Sequence, residues 1–176
     1  MKIAAIGAWH VHTMEYAQAI QKNPKAQLCC LWDDDPARGQ ETAQKLGIPF
    51  QPDLEAIWAD PSIEGIQVTT ATSQHTSVLL AAAKAKKHIF TEKVLAFSNE
   101  EAEEIAAAVR ASGVKFTISY PHKTWPALKA AKTLAQSGQL GQITYARVRN
   151  VHNGSSADWL PPHFYDAAQT GGGAMM

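Results

Sequence analysis

What this sequence lacks narrows it first. It has no excess of charge, because 16 basic and 16 acidic residues cancel to a formal net charge of zero. No basic field therefore exists to hold a nucleic-acid backbone or an anionic membrane surface. No apolar run approaches the roughly 20 residues that span a bilayer. Met1-Lys2 leads straight into strand-like "IAAIG" without an apolar leader segment. Cysteine is almost missing: Cys29 and Cys30 are the only two, side by side in an apolar run, which fits reduced thiols on a strand and not a disulfide framework. Together these absences set the expectation of a cytoplasmic protein with no nucleic-acid and no membrane partner. Glycine, finally, is scarce where a nucleotide-binding turn would want it. In "IGAWHVH", residues 6 to 12, only Gly7 is glycine.

What is present is alternation. Short β-rich runs, "KIAAI", "QLCCLW", "GIQVTT", "HIFT" and "KFTIS", are separated by helical patterns, which argues for βαβ units around a parallel sheet. After the first run, Val11, Met14, Ala17 and Ile20 recur on one helical face. In "DPARGQETAQKLG" Asp35 suits the cap, Pro36 the first helical position and Gly47 the exit. In "SNEEAEEIAAAVRASG" Ser98 and Glu101 form a capping box, Ala102, Ile105, Ala106 and Val109 make the buried stripe, and Gly113 closes the helix. Beyond Ser119 the texture changes. "KTWPALKAAKTLAQSG" reads as a helix, "QITYARVRNV" as a long alternating strand, and Asn153 to Met176 as loop. A strand with no later strand to pair with would be an exposed edge, so the expectation is the front part of a longer protein. At 176 residues the chain has room for one well-buried domain plus part of another.

The first turn can be weighed position by position. In a dinucleotide-binding turn the first glycine makes the bend, the second admits the pyrophosphate and the third lets helix pack on strand. Here those positions hold Gly7, Trp9 and His12. Context supports the motif: strand, turn, helix and strand are followed by Asp33, placed where a ribose hydroxyl would be gripped, with Asp34 as the competing candidate. Backbone amides at a helix start can hold a diphosphate without glycine. Trp9 then either flanks the cofactor or closes over the sheet end. His10-Val11-His12 also raises a metal-dependent hydrolase on a β/α barrel, but such a fold needs about 250 residues and further ligands, and no obvious set follows. No metal is expected.

The stretch "HIFTEKVLAFSNEEAEEIAAAVRASGVKFTISY" resembles the glucose-fructose oxidoreductase and inositol dehydrogenase (Gfo/Idh/MocA) family, in which a strand ends in a Glu-Lys-Pro motif. "TEKV" looks like that motif with Val94 in place of proline. "WDDDPARGQETAQKLGIP", "DLEAIWADPSIEGIQVTTATSQH", "SGQLGQITYARV" and "GGGAMM" are similar to further family segments, in order. The resemblance implies an α/β fold: a Rossmann-type doubly wound parallel sheet over residues 1–120, then the beginning of a truncated α+β second domain, for substrate and oligomer contacts, over residues 121–176. It implies an NAD(P)-dependent dehydrogenase acting on the CH–OH group of a sugar or polyol or, as the alternative, a non-catalytic dinucleotide-binding or sensory protein on the same fold, with NAD favoured over NADP because an aspartate repels a 2′-phosphate. Cofactor contacts would come from Gly7, Trp9, His10, Val11, Asp33, Thr70, Thr72, His75 and Glu92. Lys93 would be the catalytic residue, polarising the substrate hydroxyl, and Lys93, His122 and Lys123 would face substrate. Arg147 and Arg149 are weaker candidates for the same role. The family's aspartate and histidine after its GGG segment do not occur before Met176, so the chain is expected not to turn over alone and to form homo-oligomers through the missing part.

Overall fold

The computed structural model describes residues 1–172. Five parallel strands form one sheet: β1 (Lys2–Ile6), β2 (Gln27–Trp32), β3 (Gly65–Val68), β4 (His88–Thr91) and β5 (Phe116–Ile118), in the order β2-β1-β3-β4-β5. The helices between them are α1 (Thr13–Lys22), α2 (Pro36–Leu46), α3 (Leu54–Ala59), α4 (His75–Lys84) and α5 (Asn99–Ser112). This is the parallel βαβ sheet that the alternating pattern predicted and the Rossmann-like fold that the resemblance implied.

Local chemistry accounts for the helix ends. Asp35 caps α2 by accepting from the amides of Ala37 and Arg38, and Gly47 leaves it in the left-handed conformation at φ +67°. Ser98 and Glu101 close a reciprocal capping box on α5, and Gly113 exits at φ +73°. Two apolar layers sandwich the sheet. On one side Ala4, Ile6, Ile66, Val68 and Ile89 meet Ile57, Val78, Leu79, Ala82, Ala83 and Ile105. On the other Ala5, Leu28 and Leu31 meet Ala17, Ala43 and Leu46. Each fully buried aliphatic side chain contributes about 1.5–3 kcal/mol, so this sandwich sets the stability of the domain.

The contacts divide the chain into two compact units. One joins Met1–Ile118 to the segment that starts at Pro162, and the other is Ser119–Pro161. The first unit therefore takes back residues that the sequence assigned wholly to a second domain. Within it a 3-10 turn (Pro162–Tyr165) precedes α7 (Ala167–Thr170), where a loop was expected. The second unit holds a 3-10 turn (Pro121–Thr124) and α6 (Pro126–Gln136). The long strand expected at 142–151 does not form, because no partner strand stands beside it among the described residues, and an unpaired strand leaves its ladder of amides and carbonyls unmade. Two smaller readings also change. Val11 precedes α1 and is exposed, so it is not part of that helix's buried stripe, and on α5 only Ile105 is fully buried. No described helix is long and apolar enough to cross a membrane.

Candidate functional site

Strand order reverses between β1 and β3, and the crevice beyond their carboxyl ends is where an open α/β sheet binds its ligand. Gly7 turns the chain there at φ +88°, its amide donating to the Trp32 carbonyl at 2.7 Å. A Cβ at this position would lie 2.6 Å from the Thr70 amide nitrogen and 2.7 Å from its Cα. Glycine is thus demanded by the approach of the β3 loop, whatever binds above it. The following amides are largely engaged: Ala8 with Asp33, His10 with the Thr69 carbonyl at 3.1 Å, His12 with His10 Nδ1 at 3.2 Å, and Thr13 with the His10 carbonyl at 3.0 Å. Among the described residues, the amides of Trp9 and Val11 have no protein partner. Helix α1 starts immediately after with no side-chain cap, and among the described residues its Met14 and Glu15 amides have no protein partner and are left to a ligand or water.

Trp9 is 5% exposed. Its indole stacks on Phe164 at 4.6 Å and 18°, lies 4.7 Å from the His163 ring, and donates to Gln169 Oε1 at 2.6 Å. His163 Nε2 is 3.0 Å from the Trp9 carbonyl. The side chain thus faces the 162–170 segment, and the sequence could not name these partners 150 residues away.

Asp33 is buried and full. Oδ1 accepts from the Asp35 amide at 2.7 Å and Arg38 Nη2 at 2.6 Å, while Oδ2 accepts from the Ala8 amide and Arg38 Nε at 3.2 Å. These four bonds use the capacity of a carboxylate, so Asp33 ties the first turn to α2. Asp34 is more open. Its carboxylate receives Arg38 Nη2 at 2.7 Å and Gln74 Nε2 at 2.6 Å, and its side chain is 43% exposed. Arg38 and Gln74, which hold both aspartates in place, were not singled out from the sequence.

At the end of β4 the buried Glu92 collects the polar groups of the site. Its Oε1 receives His12 Nδ1 at 2.6 Å and the Tyr16 hydroxyl, with His10 Nδ1 3.8 Å away. Its Oε2 accepts from the Lys93 amide at 2.9 Å and has Lys93 Nζ at 3.7 Å. Burial works to raise the Glu92 pKa, but His10, the Tyr16 and His12 hydrogen bonds and the Lys93 charge outweigh it and hold the carboxyl below its ordinary value. Burial drives the His10 pKa down to about 3, against the opposing pull of the Glu92 charge. Lys93 keeps 41% of its side chain exposed beside this carboxylate. The Lys93-Val94 peptide is cis. His75, 1% exposed, holds the turn with Nδ1 2.7 Å from the Val94 carbonyl. Thr72 is buried in the loop after β3, and Thr70 keeps a buried Oγ1 without a partner among the described residues.

The structure therefore brings Gly7, Trp9, His10, Val11, Asp33, Thr70, Thr72, His75, Glu92 and Lys93 to the carboxyl end of the sheet. His12 and Tyr16 join them at Glu92, which sequence spacing alone did not show. His122 and Lys123 belong to the second unit, where His122 packs 4.2 Å from Trp125 and Lys123 lies 5.1 Å from the Tyr120 ring centre. Arg147 and Arg149 lie in its exposed irregular part.

Residues 1–120 match the model of a family described as an oxidoreductase family with an NAD-binding Rossmann fold. An uncharacterized oxidoreductase of Bacillus subtilis (strain 168) is 30% identical over 172 residues, covering 97% of this chain and 48% of that protein. The scyllo-inositol 2-dehydrogenase (NAD(+)) of the same organism is 28% identical over 146 residues, covering 82% of this chain and 43% of its own. Among solved structures, an NAD binding oxidoreductase from Klebsiella pneumoniae superposes with TM-score 0.70 at 29% identity, over 80% of this chain and 40% of that one. The chain spans less than half the length of these relatives.

Proposed function

Because the chain belongs to this Gfo/Idh/MocA oxidoreductase family, we propose that it is the cofactor-binding part of an NAD-dependent dehydrogenase that acts on the CH–OH group of a sugar or polyol. The observation that carries the reading is the first turn. The uncapped start of α1, with the Trp9 and Val11 amides unengaged, lies at the strand-order reversal and is suited to a diphosphate. The buried, unpartnered Thr70 Oγ1 adjoins the same turn and supplies a donor and acceptor that the protein does not itself use. Asp34 is the residue suited to a ribose diol, since Asp33 is saturated. Arg38 is committed to both aspartates and is not available to a 2′-phosphate, which favours NAD over NADP.

A bound nicotinamide supplies the hydride acceptor. Lys93 would supply a cation at this end of the sheet: its ammonium would stabilise the negative charge that develops on the substrate oxygen as the O–H proton leaves, ahead of hydride departure from the adjoining carbon. Glu92 fixes Lys93 through its backbone amide, and His12 and Tyr16 in turn fix Glu92. Two relatives lend support to the substrate class: the inositol dehydrogenase above, and the Myo-inositol 2-dehydrogenase of Thermotoga maritima, 25% identical over 163 residues. His122 and Lys123 are proposed to face that substrate, and homo-oligomers and a cytoplasmic setting are proposed with it.

Calorimetric titration with NAD+, NADH, NADP+ and NADPH tests the cofactor. Saturable binding, tighter for the non-phosphorylated pair, is expected, and absence of binding to all four would overturn the proposal. Lys93→Ala should leave NADH affinity within about twofold while abolishing oxidation of a polyol panel by the protein encoded by the whole gene.

A further inference from the structure

The His10, His12 and Glu92 side chains converge at the end of β4. We propose that they form a binding site for a divalent transition-metal ion of the zinc or ferrous class. One donor atom from each lies within 4.8 Å of the other two. Two separations are on the page: 2.6 Å from His12 Nδ1 to Glu92 Oε1, and 3.8 Å from His10 Nδ1 to the same oxygen. Tetrahedral zinc with bonds of 2.0–2.1 Å needs donors about 3.3 Å apart, so movements of well under 1 Å along these two edges reach that spacing.

The surroundings orient the donors. Lys93 occupies Glu92 Oε2 through its amide and ammonium, which turns Oε1 toward the two imidazoles. A metal would replace the His12 Nδ1–Glu92 Oε1 hydrogen bond at 2.6 Å and the His12 amide contact to His10 Nδ1 at 3.2 Å, with the Tyr16 hydroxyl left on the carboxylate. Two imidazoles and one carboxylate select zinc or ferrous iron over magnesium or calcium, whose preferred donors are oxygens. Three protein donors leave a coordination position open, the pattern of a reactive and not a purely structural metal. Sequence alone offered only the His-x-His half. The third donor arrives from the end of β4, 80 residues later.

The test needs neither dinucleotide nor turnover, so its failure and the failure of the dehydrogenase reading are separable. Chelator-treated chain is titrated with Zn2+, Fe2+ (without oxygen), Co2+ and Mg2+ by calorimetry, and the Co2+ complex is read by its visible absorption. The proposal expects one Zn2+ per chain, an intense low-symmetry Co2+ spectrum, and Mg2+ at least 100-fold weaker. His12→Ala, at a side chain 36% exposed, should weaken Zn2+ at least 10-fold in protein that circular dichroism shows folded, and Glu92→Gln should do the same. A double Cys29→Ser, Cys30→Ser variant should bind as before. Absence of stoichiometric uptake, equal uptake of Mg2+, uptake that survives His12→Ala, or uptake lost only with the cysteines would each overturn the proposal.

Discussion

Replacing Gly7 by alanine separates what the fold demands of the first turn from what a ligand demands. Two terms oppose the substitution. Holding a non-glycine residue at φ +88° costs about 1–2 kcal/mol. The new methyl would also meet three Thr70 atoms at 2.6–2.7 Å, two of them backbone that cannot rotate away. Overpacking of this kind costs about 1–3 kcal/mol. The sum, about 2–5 kcal/mol, is a large share of the roughly 5–15 kcal/mol that stabilises a domain. With a urea slope of about 1–3 kcal/mol per molar, the unfolding midpoint should fall by on the order of 1–2 M. Gly47→Ala is the control, because Gly47 has φ +67° but nothing within 4 Å of a Cβ. It carries only the conformational term and should shift the midpoint by half as much or less. If the two variants unfold together, the close approach of Thr70 is not what requires glycine in the first turn.

Two further outcomes follow from the same contacts. Arg38→Ala leaves the Asp33 carboxylate buried without its cationic partner. Breaking such a pair costs about 3–5 kcal/mol when both ions are buried, and about half of that is expected here since 27% of the Arg38 side chain is exposed. Chemical denaturation at pH 7 would detect it, and a change under 0.5 kcal/mol would contradict the staple role of Asp33. Burial lowers the pKa of His75, so as pH falls the unfolded chain takes up its proton first, near 6.5, while the folded chain still resists. Stability from this group is full above that pH and is lost progressively below it, at up to about 1.4 kcal/mol per pH unit. Denaturation midpoints of a His75→Gln variant measured from pH 7.5 to 5 should decline less steeply than those of the parent protein. His10 acts in the same window and leaves a residual slope in both.

The frame of this fold was legible because its signals are local. Asp35, Ser98 and Glu101 act within three residues of themselves, and Gly47 and Gly113 report a left-handed exit that little else tolerates. The β-rich runs marked all five strands for a similar reason, since both faces of a parallel sheet are covered and its strands need continuous apolar character. The expected strand at 142–151 failed because alternation alone cannot supply a neighbour. The sequence named residues that the structure gathers at one end of the sheet, but it did not give their wiring. Gly7, Glu92 and Lys93 were placed by a motif, whereas the bonds that define them reach across the chain: Glu92 to His12 and Tyr16, Trp9 to Phe164 and Gln169, Asp33 to Arg38. A saturated Asp33 beside an open Asp34 is likewise a matter of which lone pairs are already used, and no sequence pattern carries that.

The central claim is that a dinucleotide lies across the carboxyl ends of β1 and β3, held by main-chain amides of a turn with one glycine. Amide chemical shifts of 15N-labelled protein titrated with NADH test it most directly. The account predicts that the largest, saturable changes fall on Trp9, Val11 and the first turn of α1, with others at Thr70 and Lys93. Unchanged amides in that turn, or changes gathered on another face of the sheet, would contradict it.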